Sequence, residues 1–435
     1  MQAPPSSPRP LWTRILAPWV LMALVALVAC SGDDKPRLQS AYEHPDGFWQ
    51  DVRFPQGTGA LDDEARRSLE QLANTGYATG YEVAQVQTGV VTHDPEAAQQ
   101  GFNLYCSGHA PEAFLMDMAG KVLHRWALPF DQVPSQRTPS RRTQLTWRKV
   151  QLLPKGELLV CYEGLGLARL DRNSKLMWYW DGAAHHDFEV QGDRIFSLSR
   201  EGRSLPYLDN EGPVVEDALC QVDLKTGQLL KRTSIYEALF RSRWSSFLLQ
   251  HAKQGGDVLH NNSLDRVPES VAKRLPRVGP HDWLLCFRNV NAIAILNVQQ
   301  DKIVWMHEGP WQGPHSVSGL DSGNLLIFDN MGQGGFTRLM EWDPISHKMP
   351  WIYHGSPPES FVSIFSGNVR RLENGNTLAS LSCAGLAQEI TPDGRVVWEF
   401  RSPHRAGRDR ELVAVLFEVQ RLPSNSDLSW IKSGN

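Results

Sequence analysis

Three histidines, His186, His260 and His315, stand a few residues ahead of turn-and-strand signatures, and Ser366 takes the corresponding place in a later stretch. Asn262 follows His260 by two positions. Near neutral pH an imidazole serves as nucleophile, general base or hydrogen-bond donor. Arg288 ends the apolar run WLLCFR, where corresponding runs offer Tyr162, Asp329 and Leu381. A guanidinium matches two oxygens at once, so an arginine at a point of convergence reads as an anion clamp. The alternative is a plain salt bridge from Arg288 to Glu163 or Asp329. The histidines show no HxH spacing or carboxylate partner pattern, and Cys106, Cys161, Cys220, Cys286 and Cys383 no CxxC, so neither metal nor cofactor is expected. No GxSxG elbow, GxxxxGK[ST] loop or GxGxxG fingerprint is present, which argues against hydrolase and nucleotide-dependent chemistry.

What must position these groups is a repeat. His315 lies between Pro314 and Ser316 on a Gly/Pro-rich turn, after a strand ending at Trp305 and before the apolar run Leu325 to Phe328, which leads to Asp329 and Asn330. The text "apolar pair, Asp, turn, apolar run, Trp" occurs as LMDMAGKVLHRW (Leu115 to Trp126), ARLDRNSKLMWYW (Ala168 to Trp180), CQVDLKTGQLLKR (Cys220 to Arg232), AILNVQQDKIVW (Ala294 to Trp305), MEWDPISHKMPW (Met340 to Trp351) and QEITPDGRVVWEF (Gln388 to Phe400). Each reads as a hairpin, and turn-plus-strand signatures such as LLPKGELLVCY and RLENGNTLAS fall between copies. This spacing predicts an all-β, six-bladed propeller over residues 91–435. Glu411 to Leu422 is expected to close the ring against Asn103 to Cys106. Trp147, His186, His260 with Asn262, His315 and Ser366 then fall where the innermost strands begin, facing the axis. An insertion from Tyr236 to about Pro280, partly helical, separates the third and fourth copies and carries His260 and Asn262.

The 435 residues are 41% hydrophobic and 21% charged, an ordinary globular composition, and the net charge of -4 gives no footprint for nucleic acid. The five cysteines read mostly as buried small hydrophobes. Residues 31–90 are polar, with one helical stretch from Asp62 to Asn74, and read as a stalk. Arg9 and Arg14 precede the apolar run Ile15 to Ala29, too short for a comfortable membrane span, and Cys30 and Ser31 follow. Residues 1–30 resemble a bacterial lipoprotein signal with its lipobox, which implies lipidation at Cys30. Ser31 beside it resembles outer-membrane sorting, so the expectation is an exported, membrane-anchored protein of the cell envelope, on the periplasmic face.

The segments HHDFEV (His185 to Val190), DVLHNNS (Asp257 to Ser263), LLCFRNVNAIAIL (Leu284 to Leu296), GPWQGPHSV (Gly309 to Val317) and FSGNVRRLENGNTL (Phe365 to Leu378), in this order, resemble the bacterial arylsulfotransferase family. The resemblance runs from about Val90 onward. It implies a six-bladed propeller that moves a sulfo group from an aryl sulfate to a phenol without an adenylylated donor. It further implies that His315 is the transiently sulfated nucleophile, that His260, Asn262 and Arg288 bind the sulfo oxygens, and that His186 lines the pocket, with Ser366 or Ser363 as a nearby hydroxyl. Family members often place an acidic residue directly after the nucleophile and a glutamine before it; this chain has Ser316 and Pro314. A catalytically silent envelope propeller that binds proteins or glycans remains the alternative reading. Donor, acceptor and oligomeric state are not legible.

Overall fold

In a computed structural model of the chain, residues 80–137, 145–208, 212–332, 334–407 and 409–431 are described. The expected signal, Cys30 and most of the stalk lie outside them. Among the described residues the chain is predominantly β, and no helix is long and apolar enough to cross a membrane. The strands form five four-stranded sheets, one five-stranded sheet and one three-stranded sheet, all with antiparallel pairing. In Leu158–Tyr162, Trp283–Phe287 and Leu325–Asp329 every residue is buried, as in a strand covered on both faces.

One strand of each larger sheet lies innermost: β1 (Trp147–Leu152), β2 (Ala184–Gln191), β3 (Asn261–Arg266), β4 (His315–Gly319), β5 (Asn368–Arg371) and β6 (Leu416–Pro423). Each touches the next, and β6 returns to β1, so the inner strands form a closed ring. Strand β6 comes from the end of the chain and pairs with Gly101–Ser107 near its start, Arg421 opposite Asn103 and Glu418 opposite Cys106. The closure read from the sequence is therefore observed. Gly80–Val83 pairs with Leu412–Ala414, and Gly89–His93 adds a fifth strand beside Val396–Arg401, so residues within 80–93 also contribute to sheets.

The repeat tryptophans act as clasps between sheets. Trp126 donates its indole N–H to the Gly156 carbonyl at 3.0 Å, Trp178 to Leu224 at 3.0 Å, Trp351 to Pro392 at 3.1 Å and Trp398 to Met118 at 3.0 Å. In each case the acceptor is a turn of a neighbouring sheet. The ring buries large apolar area, and the indole finds a polar partner at the rim. Between the third and fourth repeats lie three short helices, α1 (Ile235–Phe240), α2 (Ser245–His251) and α3 (Glu269–Ala272). Helix α1 is capped by Ser234, whose hydroxyl accepts the Glu237 N–H. The five cysteines are buried free thiols.

Candidate active site

Most of the inner strands begin irregularly. Pairing slips between Trp147 and Lys149, Ala184 and Phe188, Asn261 and Leu264, His315 and Val317, and Leu416 and Glu418. Such a bulge sets extra residues against one partner and re-aims side chains. Two places before the first regularly paired residue stand Trp147, His186, Asn262 and His315. His186, His260, Ser316 and Ser366 all have φ between 45° and 53°, a strained region for residues with a Cβ, held by the packing around them.

The turn before His315 is pinned from several sides. Trp311 donates to the Asn291 carbonyl and Gly313 N–H to Asn291 Oδ1, both at 2.8 Å. Gln312 N–H donates to Asp329 Oδ1 at 2.8 Å, and Asn262 Nδ2 to the Pro314 carbonyl at 2.9 Å. Gly313 sits at φ 58°, where glycine carries no Cβ penalty.

His315 is 1% exposed. Its Nδ1 lies 2.7 Å from Asn330 Oδ1 and 3.1 Å from the Gly313 carbonyl, and its Nε2 accepts the Ser366 N–H at 3.2 Å. Asn330 donates both amide hydrogens to carbonyls, Ser363 at 2.7 Å and Ser366 at 2.6 Å. Its oxygen must therefore face the ring, which makes Nδ1 the protonated nitrogen and leaves the lone pair on Nε2. Burial first, then the Arg288 and Arg148 guanidiniums, hold the imidazole well below its ordinary pKa, against the Asn330 bond, so it stays neutral.

The other predicted residues gather here. The rings of His186 and His260 meet edge to face with centroids 5.0 Å apart. His260 Nδ1 lies 2.5 Å from Asp257 Oδ2, and the Arg288 backbone N–H donates to the His260 carbonyl at 3.2 Å. Burial lowers the His260 pKa, Asp257 opposes the shift, and Arg288 adds to it. The two carboxylates weighed as salt-bridge partners for Arg288 each hold another guanidinium: Asp329 holds Arg338 at 2.8 Å and Glu163 holds Arg200 at 3.2 Å. Asn262 is 5% exposed, and its Oδ1 has no hydrogen-bond partner. Ser366 Oγ accepts Arg148 Nη2 at 2.9 Å.

Sequence reasoning missed several groups. Alignment of the repeats points to Trp147 in β1, which is wholly buried in the core; the polar side chain here is Arg148, one residue later at the bulge. Asn330 was within the quoted stretch, but nothing in its spacing marked it as the partner of His315. Asp257, three residues before His260, carried the i to i+3 signal that could have been used. Ser316 does not orient the imidazole. Its hydroxyl accepts the Val369 N–H at 3.1 Å and donates to the Val369 carbonyl at 3.3 Å, stitching β4 to β5.

Behind His186 lies a second buried group. His186 Nδ1 is 2.9 Å from His185 Nδ1 and 3.3 Å from Glu163 Oε1, and the His186 backbone N–H donates to Glu163 Oε2 at 2.8 Å. Glu163, His185 and His186 offer three ligand-type atoms within 4.8 Å of one another, with the Arg200 guanidinium on the same carboxylate oxygen. Along the axis toward the opposite face an ion cluster follows: Lys149 to Asp187 at 2.5 Å and to Glu189 at 3.4 Å, and Arg370 to Asp265 at 3.0 Å.

The family model described as Arylsulfotransferase (ASST) matches residues 149–403, more than half of the chain and the segment that holds every pocket residue named above except Trp147 and Arg148. The chain belongs to the arylsulfotransferase family. No curated protein matches it. Among solved structures, it is similar to a protein of unknown function from Bacteroides caccae (12% identity, 74% of this chain and 98% of that one, TM-score 0.46). It is also similar to the WD40 β-propeller domain of Doa1 (12%, 74% and 85%, 0.40) and to a streptogramin B lyase (9%, 77% and 93%, 0.41). In this member of the family, donor-rich and cationic groups surround the His315 imidazole, an arrangement complementary to an anionic group.

Proposed function

We propose that the six larger sheets are the blades of one propeller, with α1 to α3 as an insertion, and that the protein is an aryl-sulfate sulfotransferase working through a sulfohistidine at His315. One observation carries this reading: Asn330 fixes the proton on Nδ1, so His315 presents a neutral lone pair at Nε2 beside Arg288 and Arg148. In the first half-reaction Nε2 attacks sulfur, the sulfur–oxygen bond to the aryl group breaks, and a phenolate leaves. Arg288, His260 and Asn262 hold the sulfo oxygens, His186 lines the pocket, and the Ser366 N–H, which touches Nε2 at rest, is placed for an oxygen on the transferring group. A phenol oxygen then attacks sulfur and the nitrogen–sulfur bond breaks, restoring the imidazole.

The test is the intact mass of the protein after brief exposure to a chromogenic aryl sulfate, beside His315→Ala. A gain of one sulfo group in the parent alone, discharged by a phenol, supports the reading. No gain and no phenol release would return it to a binding propeller. We further propose export and lipid anchoring at Cys30 on the periplasmic face of the outer membrane. Incorporation of labelled palmitate in the parent but not in Cys30→Ser checks that.

A further inference from the structure

A phenolate leaves in one half-reaction and a phenol arrives in the other, so a proton must be given at the aryl oxygen and later taken back. The pocket is hostile to an additional positive charge. His186 and His185 are both held well below their usual pKa, His186 by burial, Arg148 and His260, and His185 by burial, Arg200 and His260. An imidazolium is therefore a poor store for that proton.

The structure offers a different store. His186 Nδ1 lies 2.9 Å from His185 Nδ1, and two facing ring nitrogens at that distance share one hydrogen. The other side of the His185 ring points to Asp217, with Nε2 3.4 Å from Oδ1, and both side chains are at most 1% exposed. Asp217 Oδ1 has no hydrogen bond of its own, while Oδ2 accepts the Asn261 N–H at 3.0 Å, tying the carboxyl to the strand that carries Asn262. Burial, then the neighbouring Asp257, raises the Asp217 pKa well above the usual carboxylate range.

We propose that Asp217, His185 and His186 form a proton relay that lets His186 act as acid in the first half-reaction and as base in the second. This rests on the sulfotransferase reading above. In the acid state Asp217 carries a hydrogen toward His185 Nε2, His185 Nδ1–H donates to His186 Nδ1, and His186 presents Nε2–H to the pocket. Donation from Nε2 to the leaving phenolate shifts each shared hydrogen one place toward the pocket, leaving Asp217 as carboxylate and both rings neutral. In the second half-reaction His186 Nε2 takes the acceptor's hydrogen, both shared hydrogens return, and Asp217 is reprotonated. The only charge that changes in the relay is on the carboxyl. The other charged or titratable groups facing the relay are Glu163 with Arg200, Asp257 with His260, Arg148, the buried Glu216 beside Asp217, and the buried phenol of Tyr236. His186 is the catalytic member, since it faces substrate; His185 and Asp217 act through it.

The experiment compares release of the first phenol from phenyl sulfate and from 4-nitrophenyl sulfate in the parent, Asp217→Asn and His185→Gln. Phenolate itself is a poor leaving group and needs the proton, whereas the nitrophenolate leaves largely unaided. Both variants are expected to lose at least about 100-fold with phenyl sulfate, within the usual range for one acid–base group, and less than about 10-fold with the nitro donor. His185→Gln supplies the readout if Asp217→Asn does not fold. Equal losses with both donors, or none with phenyl sulfate, would overturn the relay. So would a parent silenced by a chelator and restored by a divalent ion, because the two Nδ1 atoms would then be ligands. A parent inactive with both donors would overturn the sulfotransferase reading, and the relay with it.

Discussion

Asn330→Asp is the most informative single change at this site, because it replaces an oriented dipole by a charge without changing size. In the parent the Asn330 oxygen meets His315 Nδ1 at 2.7 Å and its two amide hydrogens satisfy the Ser363 and Ser366 carbonyls. A carboxylate there sits about 4 Å, centre to centre, from a protonated imidazole; at an effective dielectric of about 20 that is about 4 kcal/mol, or about three pKa units, in favour of imidazolium. Burial, Arg288 and Arg148 oppose this shift but are already present in the parent, so the change moves the His315 proton affinity up from where they hold it. An imidazolium has no lone pair on Nε2. The acid limb of the rate profile for sulfo transfer should therefore move to higher pH, with activity at pH 6 falling far more than at pH 9. Two carbonyls also lose their donors, at about 1–3 kcal/mol each, so the variant should melt earlier. Asn330→Leu should melt earlier too, but lose activity with no shift of the limb. An Asn330→Asp enzyme whose profile is superimposable on the parent's would refute both the tautomer assignment and the role of His315.

Asp187→Ala should cost about 3–5 kcal/mol in urea unfolding, because buried Lys149 then loses its partner at 2.5 Å and the Leu264 N–H its acceptor at 2.8 Å. His315→Gln should flatten stability against pH: the folded His315 pKa is depressed, so its contribution is whole above about pH 6.5 and is lost below that at about 1.4 kcal/mol per unit. Asp217, whose pKa is raised, works in the opposite sense, whole below about pH 3.9 and lost as pH rises, so the variant-minus-parent difference between pH 7.5 and 5 is the quantity to measure. Trp126→Phe leaves the Gly156 carbonyl without its indole donor and should lower unfolding free energy by about 1–3 kcal/mol, with sulfo-transfer rates within about two-fold.

The sheets were legible because their signals are local. A two-residue alternation and an Asp- or Gly-bearing turn declare a hairpin wherever they occur, and the tryptophans that five of the six copies carry declare contacts between neighbours. Ring closure was legible for the same reason, an unpaired apolar strand at each end of the repeat. The site was legible only as far as repetition reached. His186, Asn262 and His315 recur two places ahead of the regular pairing, so alignment found them. Arg148 was missed because a bulge changes which of two adjacent residues turns inward, and the Trp147–Arg148 pair reads the same with or without one. Asn330, Asp217 and Glu163 were missed because each reaches its histidine from another strand, at separations fixed by folding and not by spacing.

Those missed groups decide how three similar histidines can do different work. Each is gripped at Nδ1, His260 by the Asp257 carboxylate, His186 by a second imidazole and Glu163, and His315 by a neutral amide. A carboxylate behind an imidazole pulls toward the protonated form, a pull that burial outweighs at His260, whose pKa still falls. A nucleophile needs the reverse, a fixed tautomer with no added pull toward imidazolium. With Arg288 and Arg148 already disfavouring a positive ring, an acidic residue beside His315 would undo part of what they achieve. Ser316, where relatives often carry an acid, is thus compatible with the reading: its hydroxyl joins two inner strands, and orientation of the ring has passed to Asn330.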